Sequence, residues 1–374
     1  MLTAAQRILA SSRVSGYGSE DHQRLGELMA EVEDKEALIR LAIDERLGGL
    51  LYKNLRRAGL LDTLERGQAE ALQGLYRRTA VLNLRRIHDL GKVLAALSRQ
   101  GIPVVLLKGI ILLQQIYHDL GSRPMSDVDL WVREGDYPGL VEILLHTGYQ
   151  RDPLYPDTFR KGLTTLDLHT HLLGADRIRS RTLLLTGDQK EIFGNTREVS
   201  FQGQGALCLG RYDQVLYLSL HALKHNVERL IWLVDIDGLV AGWQQSDWQA
   251  LVDRATEMGQ EQSIYCIAFL ARHLLEDRRG PSKWKQAGSD KLGFLEKRIL
   301  RRRIRGRAFP IWAPLVLFTA RKGIRWRFLV ALETLFPRPE ILRQVIVGAD
   351  DLKVWQLYLY RFWQLVGMVI RTRP

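Results

Sequence analysis

An acidic pair inside an apolar stretch is the feature that most constrains how this chain folds. Asp127 and Asp129 are one residue apart, and Val128, Leu130 and Val132 flank them. This alternation predicts a β-strand, in which successive side chains point to opposite faces, so both carboxylates are expected on one face. Two such carboxylates repel each other unless a cation lies between them. Mg²⁺ (or Mn²⁺) is the expected cation, since Mg²⁺ is commonly held by one or two carboxylates together with substrate phosphates.

A third acid strengthens the metal hypothesis. Asp167 lies in a second apolar run, residues 163–172, which also predicts a strand. A neighbouring strand would bring it to the acidic pair, where it would complete the metal site or act as a general base. Spacing alone is equally compatible with a turn or a solvated strand edge at Asp127 and Asp129. The three acids together predict metal-assisted phosphoryl or nucleotidyl transfer.

Cationic and small residues precede the acidic strand. Lys108 comes just before Gly109, which is expected to open a helix whose backbone N–H groups favour phosphate. Arg123 lies in the loop before the acids, where its guanidinium would make a two-pronged phosphate contact. The alternative is that Arg123 pairs with an acid of its own loop. Ser126 is a further phosphate-binding candidate, although a serine before a strand is usually a turn residue.

Two groups of polar residues are candidates for supporting roles. His169 follows Asp167 by two positions on the same strand face and is expected to orient the carboxylates by hydrogen bonding. His221 and Lys224 share one face of a predicted helix, and Asp235 returns to that face if the helix continues. This face would suit a triphosphate or an acceptor. The alternative is a polar seam between helices.

The ordered motifs resemble a known family, the uncharacterised bacterial nucleotidyltransferases of the DNA polymerase β superfamily. The resemblance covers roughly residues 100–240 and rests on Leu107-Lys108-Gly109, Tyr117, Arg123, Ser126-Asp127-Val128-Asp129-Leu130, Asp167-Leu168-His169, and the later His221, Lys224, His225, Trp232 and Asp235. It implies that Gly109 is the turn glycine, that Asp127 and Asp129 are the metal pair, and that Asp167 is the third acid. Ile110 departs from the pattern, because the superfamily usually has serine or glycine there.

The function implied is an Mg²⁺-dependent nucleotidyltransferase of the EC 2.7.7 type. It would move a nucleoside monophosphate from a nucleoside triphosphate to an acceptor, which is a small molecule, a protein or an RNA. One alternative is a kinase-like phosphotransferase that uses the same metal chemistry. Another is a non-catalytic scaffold that binds nucleotide or another polyanion.

The charge balance points to a polyanionic partner. The net charge is +12, and such a balance favours nucleic acid, nucleotide or an anionic membrane. Residues 297–307 form the densest basic run and are a candidate anionic-surface contact. An ordinary solvated helix face is the alternative for this run.

The cysteines and the apolar runs indicate where in the cell the protein is expected. Cys208 and Cys266 lie in apolar surroundings without metal-ligand spacing, which is typical of a reducing compartment. The N-terminal residues lack the apolar core of a secretory signal, and no apolar run approaches the roughly 20 residues of a membrane span. We therefore expect a cytoplasmic protein.

The expected fold class is α+β. A small mixed β-sheet of nucleotidyltransferase type, residues 101–212, is predicted between an N-terminal helical region, residues 1–100, and a C-terminal helical domain, residues 213–374. Apolar residues recur at helical spacing in both flanking regions. Residues 174–212 are polar and rich in glycine, and they predict a connecting hairpin or loop.

Overall fold

The fold is taken from a computed structural model that describes residues 3–12, 14, 18–172, 188–275, 283–310, 336–346 and 351–371, with isolated positions between 312 and 333.

The N-terminal region is helical, as predicted. Its helices are α1 (Ala4–Ala10), α2 (Ser19–Glu31), α3 (Lys35–Asp44), α4 (Gly48–Arg57) and α5 (Arg66–Arg99). The last of these runs for 34 residues, which is feasible because the first proline of the chain is Pro103. Its buried residues recur every three or four positions, as at Leu90, Leu94 and Leu97, so one stripe of α5 faces the core.

In the part of the chain that the structure describes, seven strands form one mixed sheet. They are β1 (Val105–Leu107), β2 (Val128–Trp131), β3 (Gln150–Arg151), β4 (Thr158–Lys161), β5 (Thr164–His169), β6 (Arg197–Phe201) and β7 (Gln204–Cys208). Their order is β3-β4-β5-β2-β1-β7-β6. The central β2 lies antiparallel to β1 and parallel to β5. The predicted mixed sheet and the α+β class are confirmed.

The register of the central strands positions the acidic residues. Asp129 of β2 lies beside Asp167 of β5, and on its other side it pairs with Leu107 at the end of β1. Between β1 and β2 the chain passes through α6 (Lys108–Leu112), a single wider helical turn (Leu113–Tyr117) and a loop. The residue at which β1 ends, Leu107, therefore lies beside Asp129 of β2.

The segment expected to be a hairpin or loop contributes to the main sheet. Residues 173–187 lie outside the described residues, and α8 (Gln189–Gly194) follows them. Strands β6 and β7 then form a hairpin that turns at Gln202 and Gly203, both with positive φ. Such φ values match the turn to the twist of the strands. Because β7 pairs in parallel with β1, the hairpin widens the sheet.

The C-terminal region returns to helices. They are α9 (Arg211–Lys224), α10 (Ile231–Leu239), α11 (Gln245–Glu257), α12 (Glu261–Leu274), α13 (Phe294–Ile304), and two further helices, Pro339–Val345 and Val354–Arg371. Helix α7 (Tyr137–His146) lies earlier in the chain, between β2 and β3. One apolar core joins α1 to α13 with the sheet, and Leu342, Ile346 and Leu357 form a separate small cluster. Among the described helices, none is both long enough and apolar enough to cross a bilayer.

Candidate functional site

Two of the three predicted acids lie side by side at the centre of the sheet. Asp129 and Asp167 are register partners on parallel strands, so their side chains emerge on the same face. Asp129 is only 3% exposed. Asp167 is half-buried and accepts a hydrogen bond of 3.0 Å from the Thr158 hydroxyl on β4. Both carboxylates are thus oriented by the strands that carry and flank them.

His169 completes a three-residue cluster with these acids. Its Nε2 lies 2.9 Å from Asp129 Oδ1 and 3.5 Å from Asp167 Oδ2. One ligand atom from each of the three residues lies within 4.8 Å of the others, and among the described residues this is the group that could hold a metal ion. His169 therefore offers a ligand atom itself, besides the orienting role predicted for it.

Asp127 lies at the edge of this cluster, just before β2 begins. Its carboxylate accepts a hydrogen bond of 2.9 Å from the Ser126 hydroxyl. Burial raises the pKa of Asp127, and the negative charges of Asp129 and Asp167 raise it further. A cation bound between these acids would remove that repulsion. Asp127 thus shares the electrostatic environment of the cluster without belonging to its three closest ligand atoms.

Lys108 is the cation nearest to the acids. Its Nζ donates to Asp129 Oδ1 at 2.5 Å. Burial alone would lower the pKa of Lys108, but the Asp129 charge outweighs burial and raises it. Burial likewise would raise the pKa of Asp129, yet Lys108 and His169 hold it below its usual range. Both side chains are therefore charged at neutral pH.

The backbone at Lys108 is unusual. Its φ is +52°, a left-handed conformation that is uncommon for a residue other than glycine. Such conformations cost about 1–3 kcal/mol, persist only where the surrounding structure imposes them, and cluster at functional sites. At Lys108 the conformation turns the chain out of β1 while its ammonium group reaches Asp129.

The side chains packed against position 109 leave room only for glycine. A Cβ atom there would overlap Arg123 Nη1 and would lie 2.6 Å from Met125 Sδ. The helix that contains Gly109 begins one residue earlier, at Lys108, and has only five residues. Close packing of the loop before β2 thus accounts for this glycine.

Arg123 is directed into the protein. Its Nε and Nη2 donate to the two carboxylate oxygens of Asp235 at 2.9 and 2.6 Å. Tyr117 also donates to Asp235, at 2.8 Å, and Asp235 is 1% exposed. Burial would lower the pKa of Arg123, but the charge of Asp235 raises it instead. The partner of Arg123 is therefore an acid of α10, whereas the sequence-based alternative had placed one in its own loop.

Helix α9 supplies the remaining polar groups of the site. Tyr217 forms a hydrogen bond with Lys108. Burial raises the pKa of the Tyr217 phenol, the charge and hydrogen bond of Lys108 lower it, and the negative charges of Asp129 and Asp167 raise it further. Tyr217 was missed by the sequence analysis, although it precedes His221 by four residues and thus shares its helix face. Burial, followed by the positive charge of Lys108, lowers the pKa of His221 well below its usual value.

The helix bearing His221 does not continue to Asp235. It ends at Lys224, and Asn226 and Val227 both have positive φ before α10 begins. Asp235 consequently reaches Arg123 from another helix. Lys224 is on the exposed surface at the end of α9.

An aromatic cluster follows the site along α9. The His221 ring lies 4.7 Å from that of His225 and 5.4 Å from that of Trp232, measured between centroids. Trp232 is half-buried. These three rings pack together where α9 leads into α10.

The mixed sheet thus carries a face on which Asp129, Asp167 and His169 form a possible metal-binding group. Residues 31–276 match the family of uncharacterised nucleotidyltransferases. The chain belongs to this family. No curated protein and no solved structure matched the chain.

Proposed function

We propose that this protein transfers a nucleoside monophosphate from a nucleoside triphosphate to an acceptor, with a divalent cation bound at Asp127, Asp129 and Asp167. The observation that carries the proposal is the pairing of Asp129 with Asp167 on adjacent strands, with His169 in contact with both. Membership of a nucleotidyltransferase family supports the same reaction.

The chemistry of the donor groups fits a divalent cation. Two carboxylates and one imidazole have ligand atoms within 4.8 Å of one another, and Asp127 adds a third carboxylate at the edge. Carboxylates suit Mg²⁺ and Mn²⁺, whereas an imidazole ligand suits iron, nickel, copper and zinc. When bound, such an ion would neutralise phosphate charge and align the attacking and leaving oxygens. Burial, and then the charges of Asp129 and Asp167, raise the pKa of Asp127, and a bound cation would offset the repulsion among these acids.

The cations of the chain have complementary roles in this proposal. Lys108 neutralises Asp129 before substrate binds, and it would turn to the triphosphate once a metal ion occupies the carboxylates. Ser126 and Lys224 are proposed as further phosphate contacts at the exposed side of the site. Asp167, fixed by the Thr158 hydroxyl, would act as the base for the acceptor hydroxyl or as a ligand of a second ion.

Arg123, Gly109 and Asp235 enter as positioning residues. The buried Arg123–Asp235 ion pair lies against the Gly109 turn, which leads directly from Lys108. By fixing this turn, the pair would hold the Lys108 ammonium group at Asp129. His221 on α9, whose pKa is lowered by burial and by the charge of Lys108, would support the same arrangement.

The kinase-like and scaffold alternatives have less support. Family membership favours nucleotidyl over phosphoryl transfer, and a scaffold has no need for three clustered acids. A bacterial source, the polymerase β superfamily and a cytoplasmic location remain part of the proposal. The acceptor is a small molecule, a protein or an RNA.

Calorimetric titration would test the metal and nucleotide site. Mn²⁺ and then a triphosphate analogue with a non-hydrolysable α,β linkage would be added to the wild-type protein, to Asp167→Asn and to Asp253→Asn. Asp253 is a matched control because it lies on α11, away from the cluster, and among the described residues its carboxylate accepts a hydrogen bond from Gln249. We expect Mn²⁺-dependent nucleotide binding in the wild type and the control, and loss of Mn²⁺ binding in Asp167→Asn. Equal Mn²⁺ binding by all three proteins would contradict the proposed site.

A further inference from the structure

The excess positive charge of this chain is confined to its C-terminal quarter. Residues 281–374 contain 20 lysines and arginines against 6 acids, whereas residues 1–280 contain 34 against 36. The region that carries the proposed catalytic site is thus close to neutral overall. The basic character of the protein needs a separate explanation.

Helix α13 displays part of this charge on one exposed face. Arginines recur along this helix and at its C-cap, at positions i, i+3, i+4 and i+7, and all four are exposed: Arg298, Arg301, Arg302 and Arg305. Within the described part of the chain, no acidic side chain forms an ion pair with any of them. Arg303, in contrast, turns inward to Glu45 at 2.7 Å. Phe294, at 75% exposed, begins the same face.

The helix Val354–Arg371 displays apolar side chains outward. Four large residues recur at i, i+4, i+7 and i+8, each at least half exposed: Trp355 (62%), Leu359 (50%), Phe362 (50%) and Trp363 (63%). On another face of the helix, Leu357 is buried against Leu342 and Ile346. One face is therefore occupied by the protein, and the aromatic face is presented to the surroundings.

A basic face and an exposed aromatic face together match the surface of an anionic bilayer. Amphipathic helices that lie in a membrane interface combine Trp, Phe and Leu with Lys and Arg, and Trp rings partition to the headgroup level. Anionic lipids attract basic residues near the surface. We propose that α13 and the helix Val354–Arg371 dock the protein on an anionic lipid surface. This inference is independent of the reaction proposed for the site.

The composition of the apolar face favours lipid over RNA. Surfaces that bind single-stranded RNA alternate stacking aromatics with cations that follow the backbone. Here Leu359 and Phe362 continue a stripe between two tryptophans without an interposed basic residue on that face, while the exposed arginines described above lie on a different helix. Such a stripe suits the boundary between headgroups and acyl chains.

Vesicle flotation with the full-length chain tests the proposal. Vesicles of phosphatidylcholine alone would be compared with vesicles that also contain phosphatidylglycerol. We expect association with the anionic vesicles that weakens as salt increases. Arg301→Ala/Arg305→Ala should lower the partition coefficient by about fivefold for each arginine removed. Trp355→Ser/Trp363→Ser should lower it by about tenfold or more, because apolar burial contributes separately.

A matched control removes exposed apolar surface elsewhere. Val81 and Leu84 on α5 are 66% and 59% exposed, so Val81→Ser/Leu84→Ser should leave vesicle association unchanged. Equal thermal unfolding midpoints for all variants would show that each is folded. Three results would overturn the proposal: no association with anionic vesicles, association unaffected by the tryptophan variant, or concentration-dependent self-association that the tryptophan variant abolishes. Retention of RNA without vesicle association would assign the surface to nucleic acid and equally overturn it.

Discussion

The buried ion pair between Arg123 and Asp235 gives a prediction that separates a positioning role from a phosphate-binding one. The two side chains are 8% and 1% exposed and share the hydrogen bonds described above, and Tyr117 adds another to the same carboxylate. Removing one partner leaves an uncompensated buried charge. We therefore expect Arg123→Met and Asp235→Asn each to lower the free energy of unfolding by about 3–5 kcal/mol.

The double variant Arg123→Met/Asp235→Asn measures the coupling free energy between the two residues. Because it leaves no unpaired charge, its loss of stability should be smaller than the sum of the single losses by about 2 kcal/mol or more. Urea denaturation followed by tryptophan fluorescence and circular dichroism measures these free energies. Arg66→Met is a suitable control, since the Arg66–Glu70 pair is on the surface and such pairs contribute only about 0–1 kcal/mol.

A contrary result is easy to recognise. If Arg123→Met unfolds at nearly the wild-type urea concentration but no longer binds nucleoside triphosphate, Arg123 is a phosphate ligand. The positioning role argued from its contact with Asp235 would then be wrong.

Three further predictions concern the turn and helix around the site. Gly109→Ala should destabilise the protein by about 1–3 kcal/mol through overpacking against Arg123, whereas Gly67→Ala, with nothing within 4 Å of the new Cβ, should be neutral or stabilising in the same denaturation assay. Lys108→Met should lower the unfolding temperature in the absence of metal, because Asp129 loses its buried partner, and added Mn²⁺ should restore part of the loss; no change on Lys108→Met would contradict the ion pair. Burial lowers the pKa of His221 in the folded protein, so as the pH falls the imidazole is protonated first in the unfolded chain, and the free energy of unfolding should fall below about pH 6.5. His221→Asn should make the thermal unfolding midpoint less dependent on pH in that range. An unchanged dependence of the midpoint on pH would refute this prediction.

The sequence alone predicts the helices and strands in which apolar residues recur at a regular spacing. Helix α5 and strand β2 follow from patterns of apolar residues that repeat every 3.6 or 2 positions. Asp129 lies on the predicted strand for the same reason, whereas Asp127, predicted on the same strand, lies one residue before β2 begins. Asp167 was expected on a strand next to the acidic pair, and β5 does lie beside β2, where Asp129 and Asp167 are register partners.

Long-range partners were beyond reach of the sequence. Arg123 and Asp235 are 112 positions apart, and no local pattern indicates that an arginine in a loop will be buried against a helix. The joining of β7 to β1 was missed for a similar reason, because strands β6 and β7 are short and half polar, and their pairing is decided by tertiary packing. The end of α9 at Lys224 was missed because Asn226 and Val227 adopt left-handed backbone conformations, which are rare for valine.

Transfer of isotopic label is the measurement that most directly tests the account. Wild-type protein and Asp127→Asn/Asp129→Asn would be incubated with Mg²⁺ or Mn²⁺, a cell extract as a source of acceptors, and nucleoside triphosphates labelled at either the α or the γ phosphate. We predict that label from the α position becomes attached to an acceptor and that the double variant abolishes this transfer. Transfer of the γ label alone, or α-label transfer that survives in the double variant, would contradict nucleotidyl transfer at this acidic cluster.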